Sequence, residues 1–371
     1  MMGISTKTRL SDKIGRRNNH IDQLRLMAAL AVVVGHCWHI ALGPDAHVPF
    51  ETLTVFGFHE LAVHVFFFLS GLLVTESARR NQTTPVKYLY RRSKRIFPAL
   101  IVNAISIPVL LSLTGAWTGQ TPASMLEYAV RAISLFSVQF SHPHAFAGLP
   151  FEGAINGSLW SLRHEIIVYA VLCAAGVFGA LNNSWRRAIF FGAVLSMIIA
   201  GHALAPIANG GLEFIIAEGR FVMFSFLLGV MAHQFAGRIP LRMWLILPGL
   251  FAPVLNLLLP VPELIAQLSV IYLVCALTLL AAYHVDDAKG LKRDISYGVY
   301  IYSWPLQQLS LYLVFNWFGV LLSPQALLLV CLPPILLSAY ISWISIEKPV
   351  LNFKPRSIQY DRLLNQAKRS I

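Results

Sequence analysis

The first long apolar stretch of the chain occupies residues 21–43 and reads IDQLRLMAALAVVVGHCWHIALG. It has the length of about 20 residues that an α-helix needs to cross the hydrocarbon core of a bilayer, at about 1.5 Å of rise per residue. The basic residues that precede it lead into the stretch without a small-residue cleavage site. We therefore expect an uncleaved membrane span here and not a signal peptide.

Apolar stretches of similar length recur along the whole chain. Nine more are found at residues 59–78, 95–115, 160–181, 186–205, 213–236, 241–260, 264–284, 296–321 and 324–346. The 371 residues are 56 % hydrophobic and only 12 % charged, whereas soluble domains are about a quarter charged. The sequence predicts an all-α fold, a polytopic transmembrane helical bundle of about ten spans. The domain extends from residue 21 to 347, between a basic segment at 1–20 and a tail at 348–371.

Positive charge predicts the orientation of the bundle. Nearly all of the 29 Lys and Arg residues fall in the N-terminal segment, the C-terminal tail and one alternating set of loops. Because Lys and Arg accumulate in cytoplasmic loops, both termini are predicted to be cytoplasmic. The formal net charge of +12 then reflects topology and attraction to anionic lipids, not binding of nucleic acid. We expect a multi-pass protein of the cytoplasmic (inner) membrane, with membrane lipids as partners.

The segment 122–140 tests this count of spans. Thr121 before Pro122 is typical of a helix start, and Glu127 lies four residues before Arg131. A further full span here would move every later basic loop to the opposite side. The segment is therefore predicted to be an amphipathic helix at the outer surface. The sequence leaves open whether it is interfacial or re-entrant.

Ionisable residues within the predicted spans are candidate functional residues, because such side chains are costly in lipid and usually face a cavity or one another. Arg25 falls near the cytoplasmic end of the first span. A larger group falls in the outer halves of the spans and comprises His36, His39, His59, Glu60, His64, Arg163, His164 and Glu165. This asymmetry predicts an outward-facing polar cavity with a basic entrance from the cytoplasm.

Two spacings connect these residues. Arg25 and His36 are eleven residues apart, so both side chains point in nearly one direction about 16 Å apart along the helix; an Arg that snorkels to headgroups is the alternative. His36 and Glu165 are predicted at the same depth. A carboxylate there would orient an imidazole and stabilise its protonated form, as a general base requires. Alternatively, Glu165 pairs with Arg163 or Arg220.

The cytoplasmic run YRRSKRIFP at residues 90–98 is dense in arginine. Such a cluster is an ordinary signal for membrane topology. Its guanidinium groups also bind phosphates in a bidentate manner, which ammonium groups do not.

Several short motifs recur here in an order and spacing that resemble the acyltransferase 3 family of membrane O-acyltransferases. They are Ile21-Asp22-Gln23-Leu24-Arg25 with His36, Phe66-Phe67-Phe68-Leu69-Ser70-Gly71, Arg92 and Arg95 before Ile96-Phe97-Pro98, Leu159-Trp160-Ser161-Leu162 with Glu165 and Tyr169, Ser296-Tyr297-Gly298-Val299-Tyr300 with Trp304-Pro305, and Glu347-Lys348-Pro349. The chain departs from many relatives at three positions, where His64 and Ile166 replace acids and Ser303 replaces a His.

The resemblance implies transfer of an acyl group from acyl-CoA, most often acetyl-CoA, to a hydroxyl of a cell-surface or lipid-linked carbohydrate. The implied partners are acyl-CoA and a carbohydrate or glycolipid acceptor, and no metal is expected. The candidate residues are His36 and Glu165 for catalysis, Arg25, Arg91, Arg92 and Arg95 for CoA, and His39, His64, Trp160, Arg163 and Tyr169 for the acceptor.

Two questions stay open at this point. His36 either deprotonates the acceptor hydroxyl or carries the acyl group itself, and Trp160 is alternatively a membrane anchor. A transporter or flippase of a carbohydrate or lipid-linked substrate is the alternative function, since charged groups within ten spans also describe a substrate pathway. Transporters often show paired halves with broken helices, and the sequence has no such internal symmetry.

Overall fold

The structure is a computed structural model that describes residues 8–15, 19–49, 51, 56–80, 84–138, 142–204, 211–256, 258–283, 291 and 293–353. Within these residues the chain is helical with short connections, and only two isolated β-bridges occur. The prediction of an all-α fold is confirmed. Most of the predicted C-terminal tail lies outside the described residues.

The helices follow the predicted apolar stretches closely. In chain order they are α1 (Ile21–Leu42), α2 (Phe58–Arg80), α3 (Pro85–Leu113), α4 (Pro122–Ser134), α5 (Leu159–Val177), α6 (Ser184–Leu204), α7 (Gly211–Gln234), α8 (Leu247–Leu255), α9 (Glu263–Tyr283), α10 (Ser296–Phe318), α11 (Pro324–Ser342) and α12 (Lys348–Asn352). A 3₁₀-helix, Met243–Ile246, leads into α8, and a π-helical turn, Trp343–Glu347, joins α11 to α12.

Seven helices of the described chain are long and apolar enough to cross a membrane. They are α1, α2, α3, α5, α6, α9 and the continuous helix Pro324–Asn352. Helices α7 and α10 are as long, with 24 and 23 residues, but α10 is more polar. The apolar helix Met243–Leu255 is shorter than a full span. The chain is a multi-pass membrane bundle, and the count of ten crossings stays a prediction.

Helix α4 begins as the sequence indicates. Ser124 N donates to Thr121 Oγ1 at 3.2 Å, and Arg131 Nε donates to Glu127 Oε1 at 2.9 Å, so the predicted helix start and side-chain pair are confirmed. The helix has 13 residues and is therefore about 20 Å long, too short for a full span. Residues 139 and 140 of the predicted segment lie outside the described residues.

Hydrogen bonds to backbone carbonyls hold both described ends of the chain at one end of the bundle. Leu10 N donates to Ile239 O at 2.9 Å, His20 N donates to Ala282 O at 3.0 Å, and Lys94 Nζ donates to Phe353 O at 2.7 Å. These contacts join the segment before α1 to the connection after α7 and the end of α9, and they join the first turns of α3 to the end of α12. We call this the basic end, since it carries Arg9, Arg25, Lys94, Arg95 and Arg238.

From the other end, residues 142–158 fold into the bundle. Trp304 Nε1 of α10 donates to Ala154 O at 3.0 Å, and Gln308 Nε2 donates to Phe151 O at 2.6 Å. Ser158, which precedes α5, is completely buried. Helix α5 therefore starts inside the bundle and not at its rim.

Pro305 explains how this segment is held. Proline has no N–H, so the carbonyl of Ile301 one turn earlier lacks its helical donor. The side-chain amides of Asn103 in α3 and Asn156 both donate to that carbonyl, each at 3.1 Å, and Asn156 also donates to Asn103 Oδ1 at 3.2 Å. Both asparagines are buried. The Ile301 carbonyl that Pro305 leaves free thus joins α3, α10 and residues 142–158 through hydrogen bonds.

Two glycines bring α2 and α7 into close contact. A Cβ atom on Gly71 would collide with the backbone oxygen of Phe226, and one on Gly229 would collide with that of Phe68. Small residues of this kind allow the backbones of membrane helices to approach closely. The crossing fixes the position of α2, which lines the site described next.

The variant Asn103→Ala removes one donor to Ile301 and the acceptor for Asn156. We expect it to lower the free energy of unfolding by about 2 kcal/mol, because the buried Asn156 amide loses one of its two acceptors and the Ile301 carbonyl loses one of its two donors. The measurement is the apparent melting temperature of the detergent-solubilised protein. Asn316→Ala, which changes an exposed asparagine on α10, is the control. Equal melting temperatures for the two variants would contradict this account.

Candidate active site

Two arginines converge on one carboxylate at the basic end. Arg25 Nη1 from α1 and Arg95 Nη2 from α3 each lie 2.6 Å from Asp294 Oδ2, just before α10. Ser296 Oγ donates to the other carboxylate oxygen at 2.5 Å. The Arg25 and Asp294 side chains are only 17 % and 15 % exposed. Asp294 therefore holds three helices together through charge-assisted hydrogen bonds that are largely shielded from water.

The same cluster keeps Asp294 ionised. Burial on its own raises the pKa of the Asp294 carboxyl, but the charges of Arg25 and Arg95 and the hydrogen bond from Ser296 hold that pKa well below its usual range. The resulting stability is present above the unfolded pKa and is lost only as the pH falls through the depressed folded pKa.

A narrow cavity starts beside this cluster and continues between five helices. Its volume is about 50 Å³, room for on the order of three or four water molecules. The residues lining it are Arg25, Val63, Phe66, Phe67, Ser70, Arg95, Ile96, Ser161, Leu162, Glu165, Ser296, Tyr297 and Tyr300. The cavity therefore connects the arginines to Glu165 along a mostly apolar wall.

Glu165 is hydrogen-bonded by Tyr169, which lies next to the arginines. The Tyr169 hydroxyl donates to Glu165 Oε1 and lies 3.4 Å from Ser70 Oγ. The guanidinium carbon of Arg92 lies 5.9 Å from the centroid of the Tyr169 ring. We expected Glu165 and Tyr169 near the outer surface, together with His36. The structure places them beside the arginines instead, because α5 begins inside the bundle.

His36 belongs to a separate group of aromatic rings. Its ring centroid lies 4.8 Å from that of Trp304 and 5.9 Å from that of His59, in both cases edge to face. The side chain is buried, with 7 % exposed, and its Nδ1 atom has no hydrogen-bond partner among the described residues. An unpaired buried nitrogen costs free energy, and a catalytic role is one explanation for it; the Nδ1 atoms of His39 and His59 are also unpaired among the described residues.

The His36 group lies about one helical turn beyond the cavity. Tyr300 lines the cavity, and Trp304, four residues later on α10, contacts His36. Likewise Val63 lines the cavity, and His59, four residues earlier on α2, contacts His36. Four residues correspond to roughly 6 Å along a helix. The structure therefore does not pair His36 with Glu165, although their catalytic roles stay predictions.

The remaining candidates for the acceptor site, His39, Trp160 and His64, lie in three different surroundings. The half-buried His39 ring lies 5.1 Å from that of His59, so it extends the His36 group. Trp160 packs edge to face on His164, with ring centroids 5.6 Å apart. In contrast, His64 Nδ1 hydrogen-bonds Ser225 Oγ at 2.8 Å.

Arg163 and Arg91 also differ in their surroundings from what the resemblance implies. Arg163 is buried, and its Nε donates to the carbonyl of Leu135 at 2.8 Å. Leu135 is the residue that ends α4, so Arg163 caps that helix, as basic side chains commonly do. Arg91 is exposed on α3 and does not line the cavity that Arg25 and Arg95 share.

Sequence reasoning missed Asp294, and it did not connect His59 or Trp304 with His36. Asp294 lies at the end of a basic loop, next to the Ser296-Tyr297 motif. That position was the only feature of the sequence that could have indicated a role at the site. The side chains that it bonds are 269 and 199 residues away in the chain. Within the described residues, no group of three or more His, Cys, Asp or Glu side chains is arranged to hold a metal ion.

A family model described as an acyltransferase domain matches residues 18–343. The chain belongs to this acyltransferase 3 family. It is thus a multi-pass membrane acyltransferase. Five of the six family motifs noted in the sequence contribute residues to the cavity or to the His36 group, and Glu347-Lys348-Pro349 does not. No solved structure matches the chain.

Three relatives of this acyltransferase are informative. Nodulation protein 10 of Rhizobium leguminosarum bv. viciae is 27 % identical, over 92 % of this chain and 95 % of its own. An O-acetyl transferase of Shigella phage Sf6 is 26 % identical, over 93 % and 99 %. Exopolysaccharide production protein ExoZ of Rhizobium meliloti (strain 1021) is 28 % identical, over 65 % and 74 %.

The variant Asp294→Asn tests the arginine cluster of this acyltransferase. Loss of the negative charge weakens the hydrogen bonds from Arg25 and Arg95 and leaves both charges less compensated. We expect the free energy of unfolding to fall by about 2 kcal/mol, measured as a lower apparent melting temperature in detergent. Asp45→Asn, at an exposed position, is the control. A variant at Asp294 that melts like the wild type would refute the structural role.

Proposed function

We propose that this acyltransferase moves an acyl group, most simply acetyl, from cytoplasmic acyl-CoA to a hydroxyl of a cell-surface or lipid-linked carbohydrate. The observation that carries this proposal is the cavity that connects Arg25 and Arg95 to Glu165 in a chain of this family. Membership of an acyltransferase family also favours an enzyme over the transporter or flippase alternative.

The proposed orientation places the basic end in the cytoplasm. Lys and Arg accumulate on the cytoplasmic side of membrane proteins, and the basic loops meet at this end. With the seven apolar helices, α7, α10 and the 20-residue apolar stretch 241–260, of which Met243–Leu255 is helical, complete ten crossings in this proposal, so that both termini face the cytoplasm. The membrane is then the cytoplasmic (inner) membrane.

The donor enters from the basic end. Acyl-CoA carries phosphates at one end and a thin pantetheine arm that bears the thioester. Arg25 and Arg95 line this end of the cavity, where both bond Asp294. Arg92 lies one turn before Arg95, and Arg91 is exposed beside it, so this part of α3 offers further guanidinium groups to phosphate oxygens. The narrow cavity suits a thin chain better than a sugar ring.

The chemistry takes place at the level of His36. The acceptor hydroxyl gives its proton to His36 as its oxygen attacks the thioester carbon; the C–S bond breaks, and the departing sulfur takes up the proton as CoA thiol. Alternatively, His36 carries the acyl group first and transfers it to the hydroxyl in a second step. The unpaired buried Nδ1 of His36 supports either role.

Glu165 acts on the donor side of this arrangement. Its carboxylate accepts a hydrogen bond from Tyr169 and lines the cavity, so we place it beside the path of the thioester. His39 and Trp160 are the proposed acceptor-side residues. His64 and Arg163 support the site through their bonds to Ser225 and Leu135.

The names of the relatives suggest the kind of acceptor. One is an O-acetyl transferase and another is an exopolysaccharide production protein. An alcohol oxygen of a polysaccharide or of its lipid-linked precursor agrees with both names. Acceptor entry from the end opposite the arginines would bring that oxygen to the His36 group without passing the donor.

The variant His36→Ala tests the catalytic proposal. Loss of a general base or nucleophile is expected to lower the rate of acyl transfer at least about 100-fold. The measurement is transfer of labelled acetyl from acetyl-CoA to surface carbohydrate in isolated membranes. His47→Ala is the control, because that histidine is exposed, and it should retain normal activity. Unimpaired transfer by His36→Ala would disprove the assignment.

The variant Arg92→Gln tests the donor site. A charge-assisted hydrogen bond contributes about 1.5 kcal/mol, so its loss should raise the KM for acetyl-CoA roughly tenfold while kcat changes little. Lys87→Gln removes an exposed charge from the first turn of the same helix and should leave KM unchanged. If both variants show the wild-type KM, Arg92 does not bind the donor.

A further inference from the structure

Two further cavities lie at the basic end, away from the candidate active site, and they share Phe235. The first has a volume of about 300 Å³ between the start of α6 and the end of α7, and its polar lining residues are Ser184, Arg187, Gln234 and Arg238. The second, of about 280 Å³, lies between α7, α9 and Met243–Ile246 and has an almost wholly apolar lining. A basic compartment thus adjoins an apolar one.

The basic compartment has hydrogen-bond donors without acceptors. None of its lining residues is acidic. Arg187 Nη1 reaches Gln234 Oε1 only at 3.4 Å, and the Arg187 guanidinium lies over the Phe235 ring at 5.7 Å. Arg187 Nε and Gln234 Nε2 are buried and have no hydrogen-bond partner among the described residues. Buried donors of this kind are stabilised by an anionic oxygen.

The position of this compartment favours a ligand that comes from the membrane. Helix α6 is mostly exposed, so its outer face contacts lipid when the bundle is inserted. Trp185, at the start of α6, is 60 % exposed, and the Arg186 guanidinium lies over its ring at 5.2 Å. Exposed Trp and Arg residues at a helix end are typical of the headgroup level.

We infer that the two compartments form one binding site for a glycerophospholipid with a net negative headgroup. The phosphate oxygens accept hydrogen bonds from Arg187, Gln234 and Arg238, and an acyl chain lies along the apolar compartment on the other side of Phe235. Basic pockets between membrane helices on the cytoplasmic side are suited to anionic headgroups. Because α7 also packs closely on α2 at Gly71 and Gly229, the bound lipid supports the helix that lines the active site.

The test is the melting temperature of the detergent-solubilised full chain with added lipid, which does not depend on acyltransferase activity. Phosphatidylglycerol should raise the apparent melting temperature by about 5 °C, and phosphatidylcholine with the same acyl chains should raise it much less. Glycerol 3-phosphate, which has the phosphate without chains, should have little effect. Equal shifts with both lipids would overturn the inference, and a full shift with glycerol 3-phosphate would reassign the site to free phosphate.

Variants test whether the shift in melting temperature comes from lipid bound in these two compartments. Arg187→Gln combined with Arg238→Gln should abolish the shift by phosphatidylglycerol, whereas Arg186→Gln, which removes a neighbouring charge outside the compartment, should preserve it. If the double variant does not fold, Ala276→Phe fills the apolar compartment and should also abolish the shift. A shift that survives in either test variant would show that the lipid binds elsewhere.

Discussion

A single carboxylate, that of Asp294, makes it possible to place two arginines at the mouth of the cavity. An isolated guanidinium within an apolar bundle is costly, and removing one partner from a buried ionic cluster leaves an uncompensated charge. Asp294 bonds Arg25 and Arg95 through the same oxygen and thereby joins α1, α3 and α10. The position of the cavity and the proposed binding of a phosphate-bearing donor both depend on this cluster.

The site is built in two levels along α10. Tyr300 belongs to the cavity with Glu165, and Trp304 belongs to the group around His36. Pro305, next to Trp304, leaves the Ile301 carbonyl free to hold residues 142–158 inside the bundle through Asn156. A tightly filled centre of this kind limits the access of water, which would otherwise hydrolyse a thioester.

The sequence predicted those features that depend on local contacts. The apolar stretches identified most helices, and the start of α4 followed from Thr121, which bonds three residues ahead. The predicted depth of Glu165 in the membrane was wrong, since a residue count along α5 does not show that residues 142–158 insert into the bundle. The apolar stretch 241–260 formed only a short helix, Met243–Leu255. Asp294 was missed because its partners are far apart in the chain and its own neighbours form a basic loop.

The central claim is that the donor reaches the cavity from the basic, cytoplasmic end. The most direct measurement uses Ser70→Cys, since Ser70 lines the cavity and the four native cysteines are buried. A small membrane-impermeant thiol reagent should modify this cysteine from the cytoplasmic face of inverted membrane vesicles, and saturating acetyl-CoA should slow the reaction severalfold. Modification only from the opposite face, or at a rate that acetyl-CoA does not change, would contradict the account.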